Sequence, residues 1–501
     1  MKRRIYFLYI IWVQVVAISL SSCDDELTDI NRNPNATENP QPAYLLAAAQ
    51  YHAANLYWGS STNYNSTLLW VQHWAKIQYT EPDCYNVDNG SFTTTWDTGY
   101  ATLITDLNAI ISSELGNDNY RGIATVWRSW VYLLLTNLYG NIPYSEYAQS
   151  VTPAYDSQET VLRGLLEAVP AADQLLTTTG GTVEGDLIYG NDITRWKQLA
   201  HSLRLRIALE LADRDEDTAR RVIASLWDNR NSVIDSNDAI ARFVFTSSPQ
   251  WNPWASAFNS RDDQRVSKTL IDKLNEWNDP RIGILAQLPQ DEGVKNYVGA
   301  ANSLSADAAN NQGFNKVSRP GTYFLKDSSP AVFYTYAEVL FIFAESAARG
   351  WITADAETLY REAITASLNQ FGIIDNRIID SYLQQEAIRF DAAHWYESIG
   401  WQKWIAYYGQ GPDAFTDWRR LGYPQLIPGP DSVLGSGELP RRFFYPVTEQ
   451  SLNGKQYQIA ISHQGADEIT TRLWFDVANK ERRYLRVGGL QSAFDNYPLI
   501  F

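Results

Sequence analysis

Apolar residues recur along most of the chain with a period near 3.6, which predicts a mainly α-helical protein. Residues 95–115 place Trp96, Leu103, Leu107, Ile110 and Ile111 on one stripe, and residues 121–139 place Ile123, Val126, Trp127, Trp130, Leu133, Leu134 and Leu138 on another. The pattern returns over 158–176, 193–212, 216–228, 266–277, 333–349, 354–371, 379–390 and 394–409. Asp156-Ser157 precedes the first of these as a capping pair. Several helices come as pairs with short links. In the clearest, Leu340, Ala344 and Ala347 face Leu359, Ala363 and Ala366 across the Arg349-Gly350-Trp351 turn. Small residues at the crossing and a repeat of roughly 34 residues suit tetratricopeptide-like packing, and a generic helical hairpin is the alternative.

Three stretches lack the period: 229–264, 279–331 and 421–445. They hold much of the Gly, Pro, Ser and Asn, and loops this long in a compact body are functional or flexible. A short strand pair is expected within 238–246. The picture is one body, with helix pairs supplying rigidity and a loop-rich half supplying a binding surface.

The N-terminus departs from this pattern. Lys2, Arg3 and Arg4 precede an apolar run from Ile5 to Leu20, too short for a membrane span and of signal-peptide length. It ends in Leu20-Ser21-Ser22-Cys23, which looks like a bacterial lipobox, so Cys23 is expected to carry lipid. Asp24-Asp25-Glu26 then resembles the surface-export tag of Bacteroidetes lipoproteins. Residues 1–22 are read as the signal peptide and 23–43 as lipidated Cys and flexible tether. Residues 44–477 are read as a single body, and 478–501 as a C-terminal extension without an assigned role.

Composition narrows the chemistry. The 501 residues carry 57 acids against 41 bases, a formal charge of −16, which excludes a nucleic-acid partner. With Cys23 lipidated, Cys84 is alone and the fold stands without an intramolecular disulfide. Five scattered histidines show no metal-ligand spacing, so no metal or cofactor is expected. No nucleophile elbow or phosphate-binding loop is present. Acid pairs such as Asp262/Asp263 and Asp213/Asp215 arise by chance among so many acids, and nothing else places them as the two carboxylates of a glycosidase. The protein is therefore not expected to be an enzyme.

Several segments together resemble one family. They are Thr136-Asn137-Leu138-Tyr139-Gly140-Asn141-Ile142-Pro143-Tyr144-Ser145-Glu146, Pro153 to Glu159, Gly185 to Asp192, and the helix from Trp196 to Leu211. Tyr336-Ala337-Glu338-Val339 with Phe343-Ala344-Glu345, Asp417-Trp418-Arg419-Arg420 to Pro424, Arg441 to Pro446, and Thr471 to Asp476 complete the set. From Cys23 to about Val477 the chain resembles SusD/RagB-type nutrient-binding outer-membrane lipoproteins, of the SusD-like branch. The tail after Val477 runs past the usual end. The resemblance implies four tetratricopeptide-like helix pairs, a few short strands and a loop-rich ligand-binding half. It also implies a partner, a SusC-like TonB-dependent outer-membrane transporter over which the lipoprotein acts as a hinged lid, delivering an oligosaccharide without catalysis. An oligopeptide lid of the same architecture is one alternative, and a helical-repeat protein whose only partner is the transporter is another.

The motif residues are expected to be structural. Gly140 reads as a helix stop. Arg204, Arg206, Arg419 and Arg420 are expected to pair with carboxylates such as Glu338 and Glu345. His201 is expected to be a satisfied core or interface histidine. Ligand contacts are expected from aromatics in loops, because a flat ring fits the C–H face of a sugar while Asn, Gln, Asp or Arg bind its hydroxyls. Three loops combine both: Trp58 with Asn63, Trp251 with Asn252 and Trp254, and Tyr297 in Asn296 to Asn302. The alternative for each ring is burial under its own loop. Affinity is expected in the micromolar to millimolar range, about −4 to −8 kcal/mol.

Overall fold

The computed structural model describes residues 40–246, 251–435 and 437–478. Cys23, the signal peptide, most of the tether and the tail from 479 lie outside the described residues. The body runs from Pro42, two residues before the expected boundary. Pro42 opens helix α1 (Pro42–Tyr57) instead of breaking it. Proline suits the first turn, where its missing N–H has no helical partner to lose.

Ten further helices carry the frame: α2 (Thr105–Ser112), α3 (Asp118–Tyr139), α4 (Gln158–Leu175), α5 (Ile193–Glu210), α6 (Glu216–Asp228), α9 (Tyr336–Ala348), α10 (Ala356–Gln370), α11 (Asn376–Leu383), α12 (Trp395–Ala406) and α13 (Gly411–Leu421). Four successive pairs pack side by side: α3 on α4, α5 on α6, α9 on α10, and α12 on α13. The capping chemistry is legible at most N-termini. Asn117, Ser157, Asp192, Thr335 and Asp355 each accept a backbone N–H from the first turn of the following helix. At the other end of α3, Gly140 takes a positive φ of 86°. A Cβ there would strike the Gln464 side chain. Asp156 is not part of the cap beside Ser157. Its carboxylate accepts the backbone N–H of Ser145 at 2.7 Å and so clasps the turn after Pro143.

Two small antiparallel sheets join sequence-distant strands. β1 (Trp74–Lys76) pairs with β3 (Gln264–Val266), and β2 (Ala241–Val244) pairs with β4 (Pro330–Tyr334). The strand expected within 238–246 therefore exists, but its partner lies some ninety residues on, not in a local hairpin. In the irregular stretches stand α7 (Pro253–Ser260) and α8 (Lys268–Glu276). The expected helix 379–390 is shorter, ending at Leu383 with a separate turn at Glu386–Ile388.

Buried ion pairs fix how the pairs meet. Arg206 on α5 forks onto Glu338 on α9 at 2.7 and 2.6 Å, and also reaches Asp413 on α13 at 3.1 Å. Arg420 on α13 forks onto Glu345 on α9 at 2.7 and 2.6 Å. Arginine suits both places because its planar donors match a carboxylate edge. Arg419 differs from expectation: it donates to the backbone carbonyls of Phe415, Asn137 and Arg441. Arg204 joins neither pair, and its buried Nε has no partner. His201 meets the Ser232 carbonyl at 3.0 Å and Asp173 at 3.3 Å, as a satisfied histidine should.

Candidate functional site

The loop-rich half is organised around α7. Asn252 is its N-cap, accepting the backbone N–H of Trp254 and Ala255, and Pro253 occupies the first turn. Helical spacing then turns Trp254, Ala255 and Phe258 inward and leaves Ser256, Asn259 and Ser260 exposed. Trp254 is fully buried and stacks on Trp58 with ring centroids 4.1 Å apart and planes at 31°. Trp74 and Phe324 also approach Trp254, with ring centroids at 4.4 and 5.9 Å. Gly409, at φ +97°, passes over both indoles, and a Cβ there would sit 3.3 Å from each.

Four of the expected ligand contacts are therefore buried in the structure. Trp58 and Trp254 form a closed aromatic stack. Asn252 is buried, capping α7 and donating to the Ser329 carbonyl at 2.8 Å. Asn63 is buried, and its side-chain N–H group donates to the carbonyls of Tyr57 at 2.9 Å and Gly409 at 3.0 Å. The physical reason is local. Asn252-Pro253 is a helix start and not a loop, and the stretch after Trp58 leaves α1 at an extended Gly59 and enters a wide helical turn over Ser60–Thr67. Asn63 and Trp254 fall on the inner side of these turns, Trp58 donates its backbone N–H to Ala54 just past the end of α1, and Asn252 is turned inward by its role as cap.

Trp251 and Tyr297 remain at the surface. Trp251 lies just before the cap, outside the helical phase, and is 37% exposed. Tyr297 borders an open cleft of about 530 Å³ with Lys268, Asp272, Asn275, Lys295 and Asn296. No ring contact joins Trp251 to Tyr297 among the described residues, so they stand as separate patches.

The structure adds two aromatics that the sequence reading passed over. Tyr79, 55% exposed, follows β1 with a positive φ of 52°. The Arg261 guanidinium lies 4.6 Å over its ring, and Arg261 closes the C-terminus of α7. Tyr323, 36% exposed, sits in the segment that Asn252 holds through Asp327 and Ser329. Its signal was the Pro320-Gly321 turn just ahead of it. Trp251 and the Tyr79–Arg261 pair thus stand at opposite ends of an eight-residue helix, about 12 Å apart along its axis. Exposed Ser256, Asn259 and Ser260 lie between them.

This strip rests on a stiff, polar underlayer. The β1–β3 register sets Lys76 opposite Gln264, and the Ile77 N–H donates to the Asp263 carbonyl at 2.8 Å. Lys76 is buried and its ammonium meets the Asp263 carboxylate at 3.1 Å. Burial lowers the Lys76 pKa, and Asp263 opposes that shift. Asp83, behind it, is pushed up to about 7 by burial although Asn302 donates to it at 2.8 Å. Asp262 accepts from Arg265 at 2.9 Å and from Arg319 at 3.1 Å. The acids once considered as a pair are thus consumed by neighbouring cations. Among the described residues no group of three or more His, Cys, Asp or Glu is placed to hold a metal ion. Nor is any described helix long and apolar enough to cross a membrane. What the arrangement offers is exposed aromatic faces with hydroxyl, amide and guanidinium groups between them.

Residues 34–446 match the SusD-like family model, whose description is "Starch-binding associating with outer membrane". Among solved structures, a chitin-binding protein superposes with a TM-score of 0.80 at 28% identity, over 87% of this chain and 100% of that one. A SusD homologue from Bacteroides uniformis gives 0.78 at 24% identity, over 87% and 99%. A chitin-binding SusD homologue from Flavobacterium johnsoniae gives 0.77 at 22% identity, over 87% and 98%. No curated protein matches the sequence. With the family model covering most of the chain and the same fold recurring in these structures, this protein belongs to the SusD-like family.

Proposed function

We propose that this protein is a surface lipoprotein of the outer membrane that binds an oligosaccharide and delivers it to a SusC-like TonB-dependent transporter. In this reading residues 1–22 are removed, Cys23 carries the lipid, and residues 23–43 tether the body. The body acts as a hinged lid and performs no bond-breaking step. The observation that carries the reading is the strip along α7, where Trp251 at one end and Tyr79 with Arg261 at the other flank exposed Ser256, Asn259 and Ser260. Rings at the two ends of a short helix anchored by buried Trp254 offer sugar C–H faces a platform, and the polar groups between them suit hydroxyls. The 28%-identical relative is named for chitin binding, which supports a saccharide ligand here.

The test is a glycan array with the soluble protein starting at Asp24, followed by calorimetry on each hit. A saccharide bound in the micromolar to millimolar range supports the reading. A blank array with binding to a protein digest overturns it in favour of a peptide lid.

A further inference from the structure

The third helix pair carries a groove on the side of the body formed by the helix pairs, lined by none of the residues of the α7 strip. Two clefts of about 380 and 680 Å³ run together through shared Tyr336, Leu340, Thr358 and Glu362. Their floor is apolar, with Leu340 and Leu359 largely buried. Their rim is mainly acidic: Asp235, Asp238, Asp355 and Glu362 against Arg230 and Arg361. From Asp355 at the N-cap of α10 to Asn369 in its last turn, the groove follows the whole helix, about 22 Å. At its far end Ile374 lines the groove and is 75% exposed, and Ile378 in the following helix is 47% exposed.

Close to its end the described chain passes the α5–α6 turn, which itself touches the turn leading into this groove. Arg214 donates from Nε to the Trp474 carbonyl and lays its guanidinium over the Trp474 ring at 5.6 Å. Two residues on, Glu216 accepts the Trp351 indole N–H at 2.9 Å. Trp351 belongs to the turn that leads into Asp355. The sequence after the described residues is ordered in a matching way. Lys480, Arg482, Arg483 and Arg486 come first, with Glu481 the one acid before Asp495, and Tyr497-Pro498-Leu499-Ile500-Phe501 follows. Extended, residues 479–501 reach about 75 Å, enough to cover the approach and the full groove.

We propose that residues 480–501 of this chain occupy the α10 groove. The basic stretch 480–486 lies along the rim acids near Asp355, Asp235 and Glu362, and 497–501 covers the apolar end at Leu340, Ile374 and Ile378. The tail would then fill in cis a surface that the helix pairs otherwise leave open.

The test uses the protein from Asp24 with Ile374→Cys and Leu499→Cys together. The remaining thiol, Cys84, is buried. Mild oxidation should close the pair within the monomer, and hydrogen exchange of 480–501 in the unmodified chain should run at least tenfold slower than in an unstructured peptide. Asp235→Lys with Glu362→Lys should abolish both effects while leaving the melting curve cooperative. Exchange of 480–501 at the unstructured rate, or no disulfide, overturns the proposal. A disulfide that forms only between molecules, with protection that rises with protein concentration, also overturns it and makes a second copy the occupant.

Discussion

Replacing Trp254 by alanine separates a buried aromatic stack from a ligand platform. The indole is fully buried, 4.1 Å from Trp58 and 4.4 Å from Trp74, and its Nε1 has no hydrogen-bond partner. The loss is therefore one of packing alone. A buried Trp→Ala change costs about 3–5 kcal/mol, which already includes aromatic pair terms of about 0.5–1.5 kcal/mol each. At about 2.1 cal/mol/K per residue, a body of about 430 residues melts with an entropy near 0.9 kcal/mol/K, so Tm should fall by about 3–6 °C. Melting followed by near-ultraviolet circular dichroism reads this, and calorimetry well below Tm reads saccharide affinity. The expected outcome is a lowered Tm with affinity changed less than threefold. An unchanged Tm with binding abolished would refute the reasoning, because the ring would then be a ligand contact and not a core element.

Three further outcomes follow from the same geometry. Gly409→Ala should destabilise by about 2 kcal/mol or more, read by urea unfolding, because φ +97° costs a side chain about 1–2 kcal/mol and the new Cβ crowds both Trp58 and Trp254. Glu338→Gln should cost about 3 kcal/mol in the same assay, since Arg206 keeps only Asp413 as a charged partner in a buried site. Glu210 has its carboxyl pushed up to about 8 by burial, and its Oε2 has no partner. Its folded pKa exceeds the unfolded value, so the stability it contributes is complete below about 4.5 and is lost as pH rises to about 8, at about 1.4 kcal/mol per unit. Glu210→Gln should therefore flatten the stability profile over that window, and an unchanged slope in unfolding at pH 5, 6.5 and 8 would contradict the assignment.

The helical frame was legible because it rests on local rules. Periodicity, caps such as Ser157, and the Gly140 stop act within a few residues, and the arginine–carboxylate pairs Arg206–Glu338 and Arg420–Glu345 could be anticipated from motif chemistry. Long-range choices were not legible. The partner of β2 is set by packing, and Arg419 satisfies backbone carbonyls where a carboxylate was expected. The burial of the site tryptophans was not legible. Asn252-Pro253 and the segment after Trp58 have loop-like composition, but each borders a helical turn whose packing decides whether a tryptophan faces solvent or core. Trp251 escapes because it precedes the cap. Tyr79 was missed because a single tyrosine after a three-residue strand carries no pattern; only the fold brings Arg261 across it.

The central claim is that the α7 strip binds saccharide. Calorimetry of the array's best glycan against Trp251→Ala and Tyr79→Ala tests it most directly. Loss of one stacking platform should cost about 2 kcal/mol, or roughly thirtyfold in affinity, with Tm within a degree of the parent protein because both rings are exposed. Unchanged affinity in both variants would contradict the account and move the site elsewhere, first to the cleft at Tyr297.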